Sequence, residues 1–79
     1  MYYVYILKSV NYNQVYTGFT KDIETRLKHH NDGKSPHTSK YKPWKLVITF
    51  TFDSEIKARD FEKYLKTGSG IAFSRKHFL

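Results

Sequence analysis

The sequence predicts an α+β fold, a small three-stranded antiparallel sheet flanked by helices, in the order β-β-α-β-α with a last short helix. Three observations lead there. Two apolar, aromatic runs, Tyr2 to Leu7 and Val15 to Phe19, are separated by the polar, Asn-rich stretch Val10-Asn11-Tyr12-Asn13-Gln14, which has hairpin length. A third run, Trp44 to Phe52, alternates apolar and polar residues as a strand does. The segments that follow the second and third runs repeat apolar residues at helical spacing, and each begins with a capping residue and ends at a glycine.

The first run is apolar almost throughout, which predicts a strand covered on both faces or central in the sheet. Alternation puts Val4 and Ile6 on one side, toward core, and Tyr3, Tyr5 and Leu7 on the other. On the second strand Tyr16 and Gly18 point the same way. A glycine there leaves space beside a tyrosine hydroxyl that a substrate phosphate can use; its plainer role is a bulge or corner. The first helix is expected from near Asp22, with Thr20 or Asp22 as N-cap, Glu24 in its first turn and Gly33 as its stop. Ile23 and Leu27, one turn apart, mark its buried stripe. Arg26 and His30, also one turn apart, border that stripe and can project toward the sheet. His29 lies about 100° round from His30 and is expected to face solvent.

The stretch from Asp32 to Pro43 holds both prolines and carries Lys34, His37, Lys40, Tyr41 and Lys42. These five are the candidate nucleic-acid contacts: a basic loop that clamps a phosphate backbone, with Tyr41 free to stack on a base. A solvated connection is the alternative reading. In the third strand Leu46, Ile48, Phe50 and Phe52 share one face and Val47, Thr49 and Thr51 the other. Ser54 caps a helix expected to run to about Thr67, with Ala58, Phe61 and Leu65 as its stripe and Gly68 as its stop. Glu62 borders that stripe, where it can lean into a site or pair with Lys66 one turn on. Gly68-Ser69-Gly70 reads as a turn, and Ile71 to Phe78 as a last helix that tucks Ile71, Phe73 and Phe78 onto the core.

At 79 residues the chain is expected to form one domain, residues 1–79, burying only about 60 % of its unfolded surface. An aromatic content of 18 % helps, because each buried ring removes about 150–250 Å² from water. There is no cysteine, and hence no disulfide, which fits a reducing cytosol. Lys8 ends the first apolar run well short of a membrane span, so a soluble, cytoplasmic protein without a membrane partner is expected. Fourteen Lys and Arg against seven Asp and Glu give a net charge of +7, which points to a polyanionic partner, nucleic acid first of all. Solubility alone is the other explanation.

Tyr3-Val4-Tyr5, then Tyr16-Thr17-Gly18, then Arg26 and His30 on a helix together resemble the GIY-YIG nuclease domain of homing endonucleases and of the amino-terminal half of an excinuclease protein. The resemblance covers nearly the whole chain. Ala58, Glu62 and the run Lys63 to Gly70 are similar to the short stand-alone bacterial branch of that family. Tyr3 replaces the glycine that opens the family's first motif and Thr17 the isoleucine of its second, and neither change removes a catalytic atom. The resemblance implies a metal-dependent endonuclease acting on DNA, in repair or recombination, with Tyr5, Tyr16, Arg26, His30 and Glu62 as catalytic residues. Tyr5 and Tyr16 would bind and activate water, His30 would assist proton transfer, and Glu62 would hold one Mg²⁺. His37 matches a position where related nucleases often carry a histidine. No attached DNA-recognition domain is expected, so the resemblance implies no particular cut sequence and names no protein partner.

The residue chemistry is compatible with that role. Arg26 offers a planar bidentate donor for phosphate oxygens. Mg²⁺ suits a single carboxylate because it keeps most of its waters. Asp60 and Glu62 diverge on their helix, so a multi-carboxylate cage is not expected; nor is a zinc site from His29, His30, His37 and His77, which also diverge. Tyrosine's ordinary pKa near 10 makes it a poor base unless Arg26 and a metal lower it. The competing reading is a basic nucleic-acid binding module on the same fold without the chemistry.

Overall fold

A computed structural model describes all residues, 1–79, as a three-stranded antiparallel sheet with three helices. Strand β1 (Tyr2–Ser9) pairs with β2 (Val15–Thr20) in a register that sets Tyr5 against Gly18 and Leu7 against Tyr16. Strand β3 (Trp44–Phe52) lies on the other side of β1, giving the order β2-β1-β3. The central place of β1 explains its unbroken apolar run: Val4, Tyr5, Ile6 and Leu7 are all buried, alternately on the two faces.

Helix α1 (Ile23–Asn31) covers one face, where Ile23 and Leu27 pack with Tyr5, Leu7 and Trp44. Asp22 is its N-cap, accepting from the Thr25 N–H, while the Thr20 hydroxyl receives the N–H of Asp22. Its end is a Schellman turn: Gly33 N–H bonds His30 C=O, Lys34 N–H bonds His29 C=O, and Gly33 takes the φ of +77° that this turn needs.

Helices α2 (Glu55–Leu65) and α3 (Gly68–His77) cover the opposite face, where Val4, Ile6, Ala58 and Leu65 form the apolar core with Phe50, Phe61 and Phe73 against it. Ser54 caps α2 through the Lys57 N–H. Val4, Ile6 and Leu65 each contribute about 1.5–3 kcal/mol before entropy is counted. No helix is long and apolar enough to cross a membrane.

Three local expectations are corrected. First, a bulge in the β1–β3 pairing sets Ile6 against Ile48 but Leu7 against Leu46, leaving Val47 as the extra residue. Leu46 therefore joins the α1 face and Val47 the opposite one, contrary to simple alternation. Second, Gly68-Ser69-Gly70 is the first turn of α3, not a loop. Thr67 caps it by accepting from the Gly70 N–H, and Gly70 sits so close to the end of α2 that a Cβ would collide with the Tyr64 carbonyl. Third, that start rotates α3 so that Gly70 and Ser74 face inward, and Ile71 is exposed instead of tucked into the core. Phe73 and Phe78 do pack on the core as expected.

Candidate active site

Three buried polar side chains meet on the α1 face. The Tyr5 hydroxyl lies 2.9 Å from Nε2 of His30, and Nδ1 of His30 lies 2.6 Å from the Thr38 hydroxyl. Tyr5 projects from the central strand, His30 from the last turn of α1, and Thr38 from the loop between α1 and β3. Thr38 is wholly buried because Trp44 fastens it: the indole N–H donates to the Thr38 carbonyl at 2.9 Å. Asn31 in turn ties the end of α1 to β3, bonding both the N–H and the C=O of Trp44. A neutral imidazole donates from one nitrogen and accepts at the other, so the line Tyr5–His30–Thr38 is hydrogen-bonded throughout in either tautomer.

Gly18 is what lets Tyr5 reach this position. A Cβ there would collide with the Tyr5 hydroxyl, so the space expected for a substrate phosphate is occupied by Tyr5 itself. Tyr16 lies alongside, half-buried, with its ring centroid 4.9 Å from that of His30 and 6.2 Å from that of Tyr5. Both tyrosines thus project from the same face of the sheet, a point that the hairpin register had to decide.

Burial sets the protonation states. It pushes the Tyr5 phenol well above its ordinary range, helped by the neighbouring Tyr16 and by the Glu62 carboxylate and opposed by Arg26. This reverses the expected lowering: the Arg26 charge acts in the expected direction, but desolvation outweighs it. Burial also lowers the pKa of His30, and the positive charges of Arg26 and His29 add to the effect. The resting site holds a neutral imidazole and a protonated phenol.

Arg26 is exposed one turn before His30 and takes no part in the three ion pairs of the protein, which join Lys28 to Asp32, Arg59 to Glu55 and Lys66 to Glu62. Glu62 comes from the helix on the other side of the sheet. Its side chain is only 19 % exposed, accepts from Lys66 at 2.9 Å, and still exerts its charge on Tyr5. Arg26 and Glu62, from opposite faces, therefore act on one phenol.

The GIY-YIG catalytic domain model matches residues 1–71. The chain belongs to the GIY-YIG family. It is 38 % identical over 69 residues to UPF0213 protein SSP2268 of Staphylococcus saprophyticus, covering 86 % of this chain and 83 % of that one. It is 40 % identical over 67 residues to UPF0213 protein CPE1444 of Clostridium perfringens, covering 84 % and 71 %. The solution NMR structure of UPF0213 protein BH0048 from Bacillus halodurans superposes with a TM-score of 0.57 at 35 % identity, over 94 % of this chain and 79 % of that one. Membership places the chain among nuclease domains and implies a nucleic-acid ligand; the short relatives fit the branch that the sequence resembles.

Of the residues singled out in this GIY-YIG domain, Tyr5, Tyr16 and His30 are in mutual contact; the charge of Arg26 reaches Tyr5 and His30, and that of Glu62 reaches Tyr5. The loop residues divide. Lys34, His37, Lys40 and Lys42 are exposed in the segment between α1 and β3. Tyr41 is instead built into the α1-face cluster, edge-on to Tyr12 with centroids 5.4 Å apart, and its carbonyl accepts from Ser9. The exposed aromatic at this end is Tyr12. Thr38, next to His37, escaped the sequence reading. Nothing in its neighbours distinguishes a threonine that reaches a buried histidine from one that faces water.

Proposed function

We infer that this GIY-YIG domain, residues 1–79, is a metal-dependent endonuclease that hydrolyses DNA phosphodiester bonds, with Tyr5, Tyr16, Arg26, His30 and Glu62 as its catalytic residues and a role in repair or recombination. The observation that carries it is the buried Tyr5–His30 hydrogen bond with the Tyr16 ring against both, one helical turn from an exposed Arg26 that is in no ion pair.

Arg26 is placed to clamp the non-bridging phosphate oxygens and to stabilise the charge that grows on them. Ionising the buried Tyr5 outright is unfavourable. A relay avoids that: the Tyr5 oxygen accepts a proton from the attacking water while its own proton passes to Nε2 of His30. The productive tautomer then has Nδ1–H donating to Thr38 and Nε2 free to accept, which makes Thr38 the residue that orients the base. Tyr16, packed against the His30 ring, helps to hold the attacking water.

Glu62 fits a single Mg²⁺, because a hard, mostly shielded carboxylate held only by an exposed lysine is available to a cation that takes its other ligands from water and phosphate. No group of three or more His, Asp or Glu gathers to offer a second set of protein ligands. When bound, the ion would supply charge to the phosphate and the leaving oxygen.

The test is cleavage of supercoiled, single-stranded and branched DNA with Mg²⁺ or with chelator. Cutting should need Mg²⁺, and Arg26→Ala should lower it about 10²–10³-fold, the scale of losing one donor to a developing oxyanion, without changing the thermal midpoint. The second reading, a non-catalytic basic module, has the raised pKa of Tyr5 on its side. DNA binding without any cleavage would favour it.

A further inference from the structure

A second feature lies on the far side of Tyr16. A cleft of about 940 Å³ runs between the outer edge of β2 and helix α3, with Lys8, Lys66 and Arg75 around it and no acidic residue among those lining it. Tyr16 forms part of its wall, and Lys66 is the lysine paired with Glu62, so the cleft adjoins the candidate active site at two residues. Its strand wall is open. The N–H of Ser9 reaches the carbonyl of Gln14, and because backbone groups alternate along an antiparallel pair, those of Val15 and Thr17 point away from β1, where no further strand lies. Two outward N–H donors and three cations thus face one trough, with exposed apolar surface from Val15 and Ile71 between them.

We propose that this cleft holds a single-stranded stretch of nucleic acid flanking the scissile phosphate. The proposal rests on the nuclease reading and adds a site and a substrate form to it. A cleft of this volume is the size of a small-ligand site and too small for a duplex. Phosphates of one strand pair with Lys8, Lys66 and Arg75 and with the free N–H groups of Val15 and Thr17, while bases lie on the apolar strip. A phosphate that draws Lys66 into the cleft also takes it from Glu62, so occupation of the cleft frees the carboxylate assigned to the metal.

The experiment measures affinity, in the presence of chelator, for a blunt duplex and for the same duplex with a short single-stranded tail. The parent should bind the tailed form more tightly, with a salt slope steeper by about 0.7 for each tail phosphate held. Lys8→Glu with Arg75→Glu should abolish the tail's advantage, reducing the ratio of the two affinities to one. Lys45→Glu with Lys57→Glu, an equal charge change away from the cleft, should weaken both forms alike and keep the ratio. A parent that binds both DNAs equally overturns the proposal and leaves the cleft to an acidic, extended peptide added along β2. A tail advantage that survives in the Lys8 and Arg75 variant overturns it as well, while leaving the nuclease reading untouched. A parent that binds neither DNA overturns both.

Discussion

The two faces of β1 are built on opposite plans from one strand. Val4 and Ile6 face α2 and α3 across an apolar cluster held by shape alone. Tyr5, one residue away from each, faces α1 in a cluster whose buried members include His30, Thr38 and the Trp44 indole, every one of them hydrogen-bonded. An apolar face tolerates loss of atoms in proportion to the cavity left behind. A buried polar chain is rigid only while each member has its partner, so a single lost hydroxyl is felt along the line. The first face anchors the sheet and lends the site only Glu62, from the edge of its stripe, while the second holds the buried polar line.

The largest loss of stability is expected from the apolar face. Ile6→Ala should lower stability by about 2–5 kcal/mol, a large share of what a chain this small can have, while specific cleavage per folded molecule stays the same. Denaturant unfolding with activity normalised to folded protein checks it. A selective loss of turnover would mean the two faces are not separable. Thr38→Val is expected to cost less, about 1–3 kcal/mol, because it leaves Nδ1 of His30 buried without a partner. It should also lower turnover more than the folded fraction explains, and Thr38→Ser should restore most of both. Equal behaviour of the Val and Ser variants would remove Thr38 from the relay.

The two faces also differed in how much of them the sequence disclosed. The succession of elements along the chain, a cap at Thr20 or Asp22 and one at Ser54, and the stripe of Ala58, Phe61 and Leu65 are local patterns, and each was readable as such. The bulge at Val47 was not, because alternation continues through it in the sequence and only the pairing with Leu7 reveals the slip. Gly68-Ser69-Gly70 misled for a related reason: glycine weakens a helix, but Gly70 is required by the close approach of α3 to Tyr64, a tertiary demand that overrides propensity. At the site, helical spacing paired Arg26 with His30, while Tyr5 and Tyr16 were picked out by the resemblance to the GIY-YIG family. The sign of the Tyr5 shift depended on depth of burial, which spacing does not encode.

The protonation states give the polar face a pH dependence that the apolar face lacks. The pKa of His30 is lower folded than unfolded, so the unfolded chain binds the extra proton first, and stability should fall as pH drops below about 6.5. The pKa of Tyr5 is higher folded than unfolded, so its contribution is full below about pH 10 and is lost as pH rises beyond. Thermal midpoints from pH 5 to 11 should therefore decline on both sides, and Tyr5→Phe should flatten the alkaline side while keeping the acid one. An unchanged alkaline side in Tyr5→Phe would place that decline elsewhere.

The smallest stability effect separates structure from chemistry most cleanly. The Glu62–Lys66 pair is an i,i+4 pair with its lysine more than half exposed, worth about 0.3–0.5 kcal/mol, so Glu62→Gln and Lys66→Met should each move the midpoint by no more than about 2–4 °C. Their activities should part. Glu62→Gln keeps the volume and removes the charge assigned to the metal, so cleavage should vanish while DNA binding holds or tightens. Lys66→Met leaves the carboxylate in place and should still cleave. The Glu62 charge also helps hold the Tyr5 phenol protonated, so its removal should lower the folded pKa of Tyr5 and shrink the alkaline decline, a readout independent of any metal. Full cleavage by Glu62→Gln, with an unaltered alkaline decline, would reduce that residue to a surface ion pair and leave Arg26 without the carboxylate that completes the site.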